Sequence, residues 1–385
     1  MVQLYPSERA WAIDMSEMES KVYKVRDSVD LFLSDNELLT AYFMNTRRRR
    51  SFRVNDETVR LLESIDGKKS ASELCDELCR TCDANPESVF RTLAAFSRYG
   101  IVVEIAVQTA IPAKDAQRYE RQINYFSEFF EGGTGGFEAQ ARLMRSKVVV
   151  FGCGAIGGSI AAELVMAGVR NIALVDYDLV EASDVSRHLC HDYESCGTSK
   201  VKSLAARLRQ IDRKASIEEH VLAIRPSGDI SRIIKDADFV VNTIDEPYIG
   251  YTSAKISRAC IAADKPHYIA GGFDAHLAST GELVIPFETP CVECYANHFK
   301  VALKGWKPEK HPVVTRDTKI GGLASMSLFS ASYASIEIIR YLAGLVGDSC
   351  EYRSRGEWLF DDMSLTYLEV TRDPECPVCG EGRRP

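Results

Sequence analysis

The chain has 385 residues, 45% of them hydrophobic, which is enough to bury a large core and to form two domains. Its 47 Lys and Arg against 55 Asp and Glu give a formal net charge of −8, which argues against nucleic-acid binding through the whole surface. The sequence has no uninterrupted apolar stretch that could span a bilayer, so we expect no membrane partner.

The chain opens with signals for a small β-structure. Two short apolar runs, residues 29–33 and 41–44, predict strands. They are followed by four consecutive arginines, Arg47 to Arg50. Such a run is typical of a solvated face, and contact with an acidic peptide is the alternative.

Three helix starts with capping signals come next. The helices begin at Asn55, Ser70 and Pro86. The third ends at Gly100, before a predicted strand at residues 101–103. Strands, three helices and a final strand are the order of a winged-helix-like α+β module. A DNA-binding role is disfavoured, because the candidate recognition helix, residues 86–99, carries only Arg91 and Arg98 as cations.

A strand, a glycine turn and a helix follow in the centre of the chain. The β-branched run at residues 147–151 predicts a strand buried on both faces of a parallel sheet. We expect Gly152, Gly154 and Gly157 to allow positive φ and to bring backbone amides close to a phosphate. The predicted helix covers residues 159–167.

Acidic and basic residues follow at distances that favour ATP over NAD. A second strand, residues 171–175, ends in Asp176 and Asp178, about 20 residues after the glycines, where a carboxylate accepts hydrogen bonds from ribose. An NAD site predicts the same up to this point. Arg187 and Lys200 are then available to offset the charge that develops on a leaving pyrophosphate, for which a dehydrogenase has no use.

These motifs resemble the ubiquitin-activating-enzyme superfamily, in particular its ThiF/MoeB-like adenylating members and the enzymes of microcin C maturation. The resemblance covers about residues 115–382 and implies a Rossmann-like, doubly wound α/β fold. Residues 118–123 match the family segment Arg-Tyr-x-Arg-Gln-Ile. Its second arginine, here Arg121, reaches the ATP of the neighbouring subunit, which implies a homodimer.

The resemblance also implies the residues of an ATP site. They are Gly152, Gly154, Gly157, Asp176, Asp178, Asp184, Arg187 and Lys200. Asp245, at the end of an apolar run at residues 240–245, matches the aspartate that holds Mg²⁺. Taken alone, Asp176 and Asp245 are also typical of turn or helix-capping acids. Asp184 replaces the family's asparagine, so it either adds a metal ligand or weakens nucleotide binding.

Two CxxC pairs predict a structural zinc site. Cys291 and Cys294 form one pair, and Cys376 and Cys379 form the other, as in the same superfamily. Four thiolates leave Zn²⁺ no open position for substrate; redox-active or unpaired cysteines are the alternative. The remaining eight of the 12 cysteines (12 less these four) show no pairing pattern, and together with the absence of a signal sequence they favour a cytoplasmic location.

The N-terminal module, residues 1–108, resembles the PqqD-like recognition elements of peptide-modifying enzymes. In those elements the leader of a ribosomal precursor peptide adds a strand to an exposed sheet edge. Residues 109–385 then form the adenylation domain with its C-terminal zinc clamp. A dimerisation or packing module is the alternative interpretation of residues 1–108.

The resemblance implies that ATP and Mg²⁺ activate a peptide carboxylate as an acyl adenylate. Relatives that pass the acyl group to a thiol use a cysteine in a crossover segment, expected here near residues 298–322, and that segment contains none. We therefore expect capture by a nucleophile of the substrate itself, as in microcin C or pantocin-type chemistry. Two alternatives stay open: activation of a ubiquitin-like sulfur carrier, and a non-catalytic recruiting partner of a cyclodehydratase.

Overall fold

The structure, a computed structural model, describes residues 15–34, 37–105, 111–225, 228–244, 249–270, 278–302, 304, 323–345 and 355–381. The chain divides into two compact units, Met1–Ala141 and Arg142–Pro385. Among the helices in the described ranges, none is both long and apolar enough to cross a membrane.

The first unit contains a three-stranded sheet, a two-stranded ribbon and short helices. Its strands are β1 (Tyr23–Val25), β2 (Val29–Ser34), β3 (Leu38–Phe43), β4 (Arg48–Arg53) and β5 (Val102–Glu104). Its helices are α1 (Met15–Met18), α2 (Asp56–Ser64), α3 (Ala71–Cys82), α4 (Pro86–Arg98), α5 (Ala113–Arg118) and α6 (Glu120–Ser127). Helix α7 (Gly136–Arg145) continues into the second unit.

The predicted elements of this module are confirmed. The Asn55 side chain accepts a hydrogen bond from the amide of Thr58 at the start of α2, and Ser70 and Glu73 form a capping box on α3. Strands β2, β3 and β4 pair antiparallel in that order, and β1 pairs with β5. Strand β4 was not predicted: it contains three residues of the arginine run, Arg48 to Arg50, and five of its six residues are exposed.

A hydrophobic core joins the sheet to the helices of the first unit. Its members include Leu39, Phe43, Phe52, Leu61, Leu74, Leu78, Leu93 and Phe96, all buried. Phe52 is the one buried residue of β4, and its ring lies 5.9 Å from that of Phe96 on α4. This contact fixes the arginine-rich strand against the helical layer, because large aromatic side chains dominate packing energy.

The second unit contains a six-stranded sheet with helices, followed by a hairpin. Its strands are β6 (Lys147–Phe151), β7 (Asn171–Asp176), β8 (Ser216–Val221), β9 (Phe239–Asn242), β10 (His267–Ile269), β11 (Glu282–Val284), β12 (Gly356–Leu359) and β13 (Ser364–Tyr367). Its helices are α8 (Ala155–Ala167), α9 (Lys200–Ile211), α10 (Ser231–Ile234), α11 (Ile249–Ala262), α12 (Val292–Ala302) and α13 (Ala324–Leu342).

The large sheet has the order β11-β10-β9-β6-β7-β8, in which all strands run parallel except β11. Strands β6 to β8 extend the sheet to one side, and the chain then returns to add β9 on the other side of β6. This reversal is a topological switch point, and ligands of open α/β sheets bind there, at the carboxyl ends of the strands. The fold is therefore the predicted doubly wound α/β fold.

Candidate nucleotide site and cysteine cluster

The glycine turn after β6 packs tightly against the end of β9. Gly152 has φ +94°, and a Cβ there would lie 2.3 Å from the Thr243 hydroxyl oxygen. A Cβ on Gly157 would lie 2.0 Å from the carbonyl oxygen of Gly152. Neither position accepts a larger residue without backbone movement, since real Cβ atoms essentially never approach so closely.

The expectation that all three glycines take positive φ is right for Gly152 and wrong for Gly154 and Gly157. Helix α8 begins at Ala155 and not at Ser159, so Gly157 lies within its first turn, where it allows the helix to approach the strand. Gly154 is the N-cap with φ −81°, and a Cβ there would meet no atom closer than 3.8 Å.

The first turn of α8 has no side-chain cap. Its N-cap residue, Gly154, makes no capping hydrogen bond. The amides of a helix's first turn have no partner within the helix, and they carry its partial positive charge. An uncapped start on a 13-residue helix at the switch point suits an anion such as a phosphate.

Asp176 braces this turn from the end of β7. One carboxylate oxygen accepts a hydrogen bond from the amide of Cys153 at 2.7 Å, and the other accepts one from the amide of Asp178 at 2.8 Å. The side chain is buried. Asp178, by contrast, keeps 38% of its side-chain surface exposed. Of the two acids, Asp178 is the more accessible to a ligand.

The carbonyl side of the turn is held by His191. Its Nε2 donates to the carbonyl oxygen of Cys153 at 3.1 Å, because a carbonyl can only accept. Its Nδ1 must then accept from the Ser203 hydroxyl, 2.9 Å away on α9, if the imidazole is neutral. This buried histidine links the glycine turn to helix α9.

A cluster of charges surrounds Asp184, whose side chain is 2% exposed. Its Oδ1 lies 2.9 Å from an Arg187 guanidinium nitrogen, and its Oδ2 lies 3.7 Å from the Lys200 ammonium. Lys200 also contacts Asp178 at 3.0 Å. The Nε2 of His188 is 3.3 Å from Asp184 Oδ1, but neither ring nitrogen makes a well-aligned hydrogen bond to a described residue.

The pKa values of the cluster follow from burial and mutual contact. Burial alone would raise the pKa of Asp184, but the hydrogen bond from the Glu181 amide and the charges of Lys200 and Arg187, joined by that of His188 once its ring is protonated, hold this pKa below its usual range. Burial works against the Lys200 ammonium, yet its hydrogen bond to Asp178 raises its pKa. Burial lowers the pKa of His188 to about 4, so its ring is neutral at pH 7.

The structure thus brings together most of the residues predicted to bind ATP. The glycine turn, Asp176, Asp178, Asp184 and Arg187 lie at the carboxyl ends of β6 and β7 or in the loop that follows β7, and Lys200 is the first residue of α9, where that loop ends. Asp245 lies outside the described residues; β9 ends at Asn242, three residues earlier than the predicted strand. Arg121 lies on α6, in the first unit.

Sequence reasoning missed Thr243 and His191. Thr243 donates to the carbonyl oxygens of Phe151 and Gly152, at 3.0 and 3.2 Å. Its position directly after an apolar strand was a usable signal, since the ends of adjacent parallel strands meet. His191 carried no signal, because its partners are 38 and 12 residues away.

The four cysteines of the two CxxC pairs form one buried cluster. All their sulfur atoms lie within 4.8 Å of one another, and three pairs are 3.9, 3.6 and 3.5 Å apart: Cys291–Cys294, Cys291–Cys376 and Cys294–Cys379. Sulfurs of a tetrahedral zinc–thiolate site stand about 3.8 Å apart, given bonds of about 2.3 Å. The cluster could therefore hold Zn²⁺. It would join the start of α12 to the C-terminal segment.

The ThiF family matches residues 119–378 of the chain. The chain belongs to the ThiF family. This match covers the switch-point site, the first CxxC pair and Cys376 of the second, so the membership rests on the second unit and on the residues just before it. The fold of the chain is the ThiF/MoeB-like fold.

Curated relatives include the adenylyltransferase and sulfurtransferase MOCS3 of Bos taurus, 28% identical over 279 residues, and that of Arabidopsis thaliana, 29% identical over 269 residues. The matches cover 71% and 69% of this chain and 55% and 52% of the relatives. The chain thus spans about half the length of the curated relatives it matches.

Solved structures with the same fold include E. coli MccB with AMPCPP and MccA, at TM-score 0.66 and 19% identity. This match covers 93% of our chain and 99% of MccB. A structure of PaaA matches with TM-score 0.69 and 17% identity, covering 90% of our chain and all of PaaA. At these identities the likeness establishes the fold alone.

Proposed function

We propose that the protein uses ATP and Mg²⁺ to adenylate a carboxylate. The observation that carries this proposal is an uncapped helix start at the switch point, together with Arg187 and Lys200, which ion pairs hold in the segment that follows β7. Backbone amides and two fixed cations are the groups that offset charge on a transferring phosphoryl group. ThiF-family membership adds the expectation of adenylating chemistry.

In the proposed reaction, a carboxylate oxygen attacks the α-phosphorus of ATP. The new oxygen–phosphorus bond forms as the bond to the β-phosphate breaks, and pyrophosphate leaves with the electron pair. Arg187 and Lys200 offset its charge and exchange part of their contact with Asp184 and Asp178 for contact with phosphate oxygens. Asp245, outside the described residues, is the proposed Mg²⁺ ligand. The four-cysteine cluster takes no part beyond holding Zn²⁺ structurally.

For the substrate, we favour a ribosomal precursor peptide, bound through its leader by a PqqD-like module within residues 1–108. The extent of the likeness to MccB, which was solved with MccA, supports this choice of substrate. The likeness covers 93% of the chain and therefore includes most of the first unit. We also propose a homodimer in which Arg121 acts on the partner's nucleotide, and capture of the activated carboxyl by a nucleophile of the peptide itself.

A second candidate substrate is a ubiquitin-like sulfur carrier, which the likeness to MOCS3 favours. The MOCS3 matches cover about 70% of the chain, whereas the likeness to MccB covers 93% of it. The peptide remains the preferred substrate for this reason.

ATP–pyrophosphate exchange tests the two candidates. The purified protein is given Mg·ATP and labelled pyrophosphate with a short peptide encoded beside its gene, or with a sulfur carrier ending in Gly-Gly. We expect exchange with the peptide and none in a Lys200→Ala variant. Exchange that requires the carrier instead would select the second candidate, and exchange unaffected by Lys200→Ala would refute the site assignment.

A further inference from the structure

The arginine-rich strand β4 lies at one edge of its sheet. Among the described residues it pairs only with β3, so one side of its backbone faces no other strand. Such an edge presents alternate N–H and C=O groups to any extended chain. Five residues of β4 are exposed, and four of these are the arginines Arg48, Arg49, Arg50 and Arg53.

These arginines lie on both faces of the sheet. By register with β3, Arg48 and Arg50 share the face of Phe43 and Ala41, whereas Arg49 lies opposite Tyr42 on the other face. Side chains of a strand added beside β4 would also alternate between the two faces. An acidic residue at any position of such a strand would therefore find an arginine on its own face.

The positive charge of β4 is not balanced by a carboxylate of the described residues. None of its four arginines forms an ion pair with a carboxylate in the part of the chain that the structure describes. Two are instead held over aromatic rings: Arg50 lies 4.7 Å from the Tyr99 ring centre, and Arg49 lies 5.5 Å from that of Tyr42. Cation–π contact orders a guanidinium and leaves its charge available.

The PqqD-like module of the proposed function already implies that the peptide adds to a sheet edge as a strand. We propose that the segment bound along the free edge of β4, about six residues long, is acidic. This inference rests on the proposed function, because it gives the peptide substrate a charge class. The opposite edge, β2, is unsuited to an acidic segment: it exposes Asp30, Phe32 and Leu33 and carries no cation. A nucleic acid would gain the charge contacts but could not use the backbone pairing groups.

Three labelled peptides test the edge by fluorescence anisotropy on the full-length protein. One alternates Glu and Val over eight residues, and the second alternates Lys and Val. The third is the Glu-Val peptide N-methylated on every residue, so that neither of its edges can donate backbone hydrogen bonds to a strand. We expect binding of the first alone, weakening with salt. Equal binding of the first and third would contradict strand addition, and binding of the second would contradict charge selection.

Matched variants locate the edge. Arg48→Gln with Arg50→Gln should weaken binding of the Glu-Val peptide about tenfold, since two cross-strand charge pairs are lost. Arg60→Gln with Arg80→Gln, on exposed positions of α2 and α3, should leave binding unchanged. Equal weakening by both pairs, or tighter binding of a single-stranded oligonucleotide at the same edge, would overturn the proposal.

Calorimetry with Mg·ATP on the same variants separates this inference from the proposed function. The Arg48/Arg50 variant should bind ATP as the wild type does. A wild-type protein that binds ATP but not the peptide would contradict peptide binding at β4 alone. A wild-type protein that binds the peptide but not ATP would contradict adenylation and leave the proposal for β4 standing.

Discussion

The two units of the chain treat positive charge in different ways. In the second unit, Arg187 and Lys200 each contact the buried carboxylate of Asp184. In the first unit, the arginines of β4 contact no carboxylate among the described residues and remain exposed. The paired cations are ordered and partly dehydrated, so they suit one small anion of fixed geometry. The unpaired row suits an extended anion, with contacts that salt weakens.

The largest expected effect distinguishes the two units by stability, because the four cysteines of the cluster all belong to the second unit. We expect Cys376→Ser with Cys379→Ser to abolish zinc binding, which contributes on the order of 10 kcal/mol in structural zinc sites. The midpoint of thermal unfolding of the second unit should fall by at least about 10 °C. Elemental analysis and calorimetry measure both effects, with Cys196→Ser as the control. Unchanged zinc content would refute the metal assignment.

Asp184→Asn removes the carboxylate that pairs with Arg187 and Lys200, the kind of partner that the arginines of β4 lack among the described residues. It should cost about 1 to 3 kcal/mol of folding free energy, because Lys200 and Arg187 lose a charged partner. It should also tighten Mg·ATP binding about fivefold, since one negative charge near the phosphates disappears. Glu181→Gln, an exposed carboxylate in the same loop, is the control. Weaker ATP binding in Asp184→Asn would indicate that Asp184 is a metal ligand.

The same pair of proteins gives a pH test. The folded-state pKa of Asp184 is lowered, so its stabilising contribution is complete above the unfolded-state pKa of about 4 and is lost as the pH falls toward the folded-state value. The difference in unfolding free energy between wild type and Asp184→Asn should therefore be constant from pH 7 to about pH 5 and shrink below about pH 4. Urea denaturation at each pH measures it. A difference that grows as the pH falls would contradict the assigned ion pairs.

Arg121 gives the smallest expected signal. If it acts on the partner's nucleotide, mixing Arg121→Ala chains with Lys200→Ala chains should restore about a quarter of wild-type exchange activity. Half of randomly formed dimers are mixed, and each mixed dimer has one intact site. Arg118→Ala, a neighbouring arginine with no assigned role, is the matched control and should keep its activity without mixing. No recovery would favour a site completed within one chain.

Much of the fold could be predicted because local signals agreed with the final structure. Capping residues such as Asn55 and Ser70 gave the helices of the first unit, and the β-branched run of β6 with its glycine turn gave the Rossmann-like core. Strand β4 could not be predicted, because its arginines show no apolar alternation and only Phe52 is buried. Pairing with β3 and packing on Phe96 decide its structure, and both are non-local.

The candidate site was predictable in its membership but not in its internal contacts. An ATP site was indicated by the order of four residues along the chain: Asp176, Asp178, Arg187 and Lys200. No spacing indicated that both carboxylate oxygens of Asp176 accept hydrogen bonds from backbone amides. Nor did it indicate that Asp184 pairs with both cations. These contacts depend on how the loop after β7 folds back on α9, which the sequence pattern does not encode.

Calorimetric titration with Mg·ATP tests the central claim most directly, because it needs no knowledge of the peptide. We predict that the wild type binds one ATP per chain and that Lys200→Ala binds ATP about 100-fold more weakly, as expected for the loss of a largely buried cation from a phosphate. Lys202→Ala, on an exposed position of the same helix, should bind ATP as the wild type does. Equal affinity of the wild type and Lys200→Ala, or no binding by either, would contradict the claim that this site activates a carboxylate with ATP.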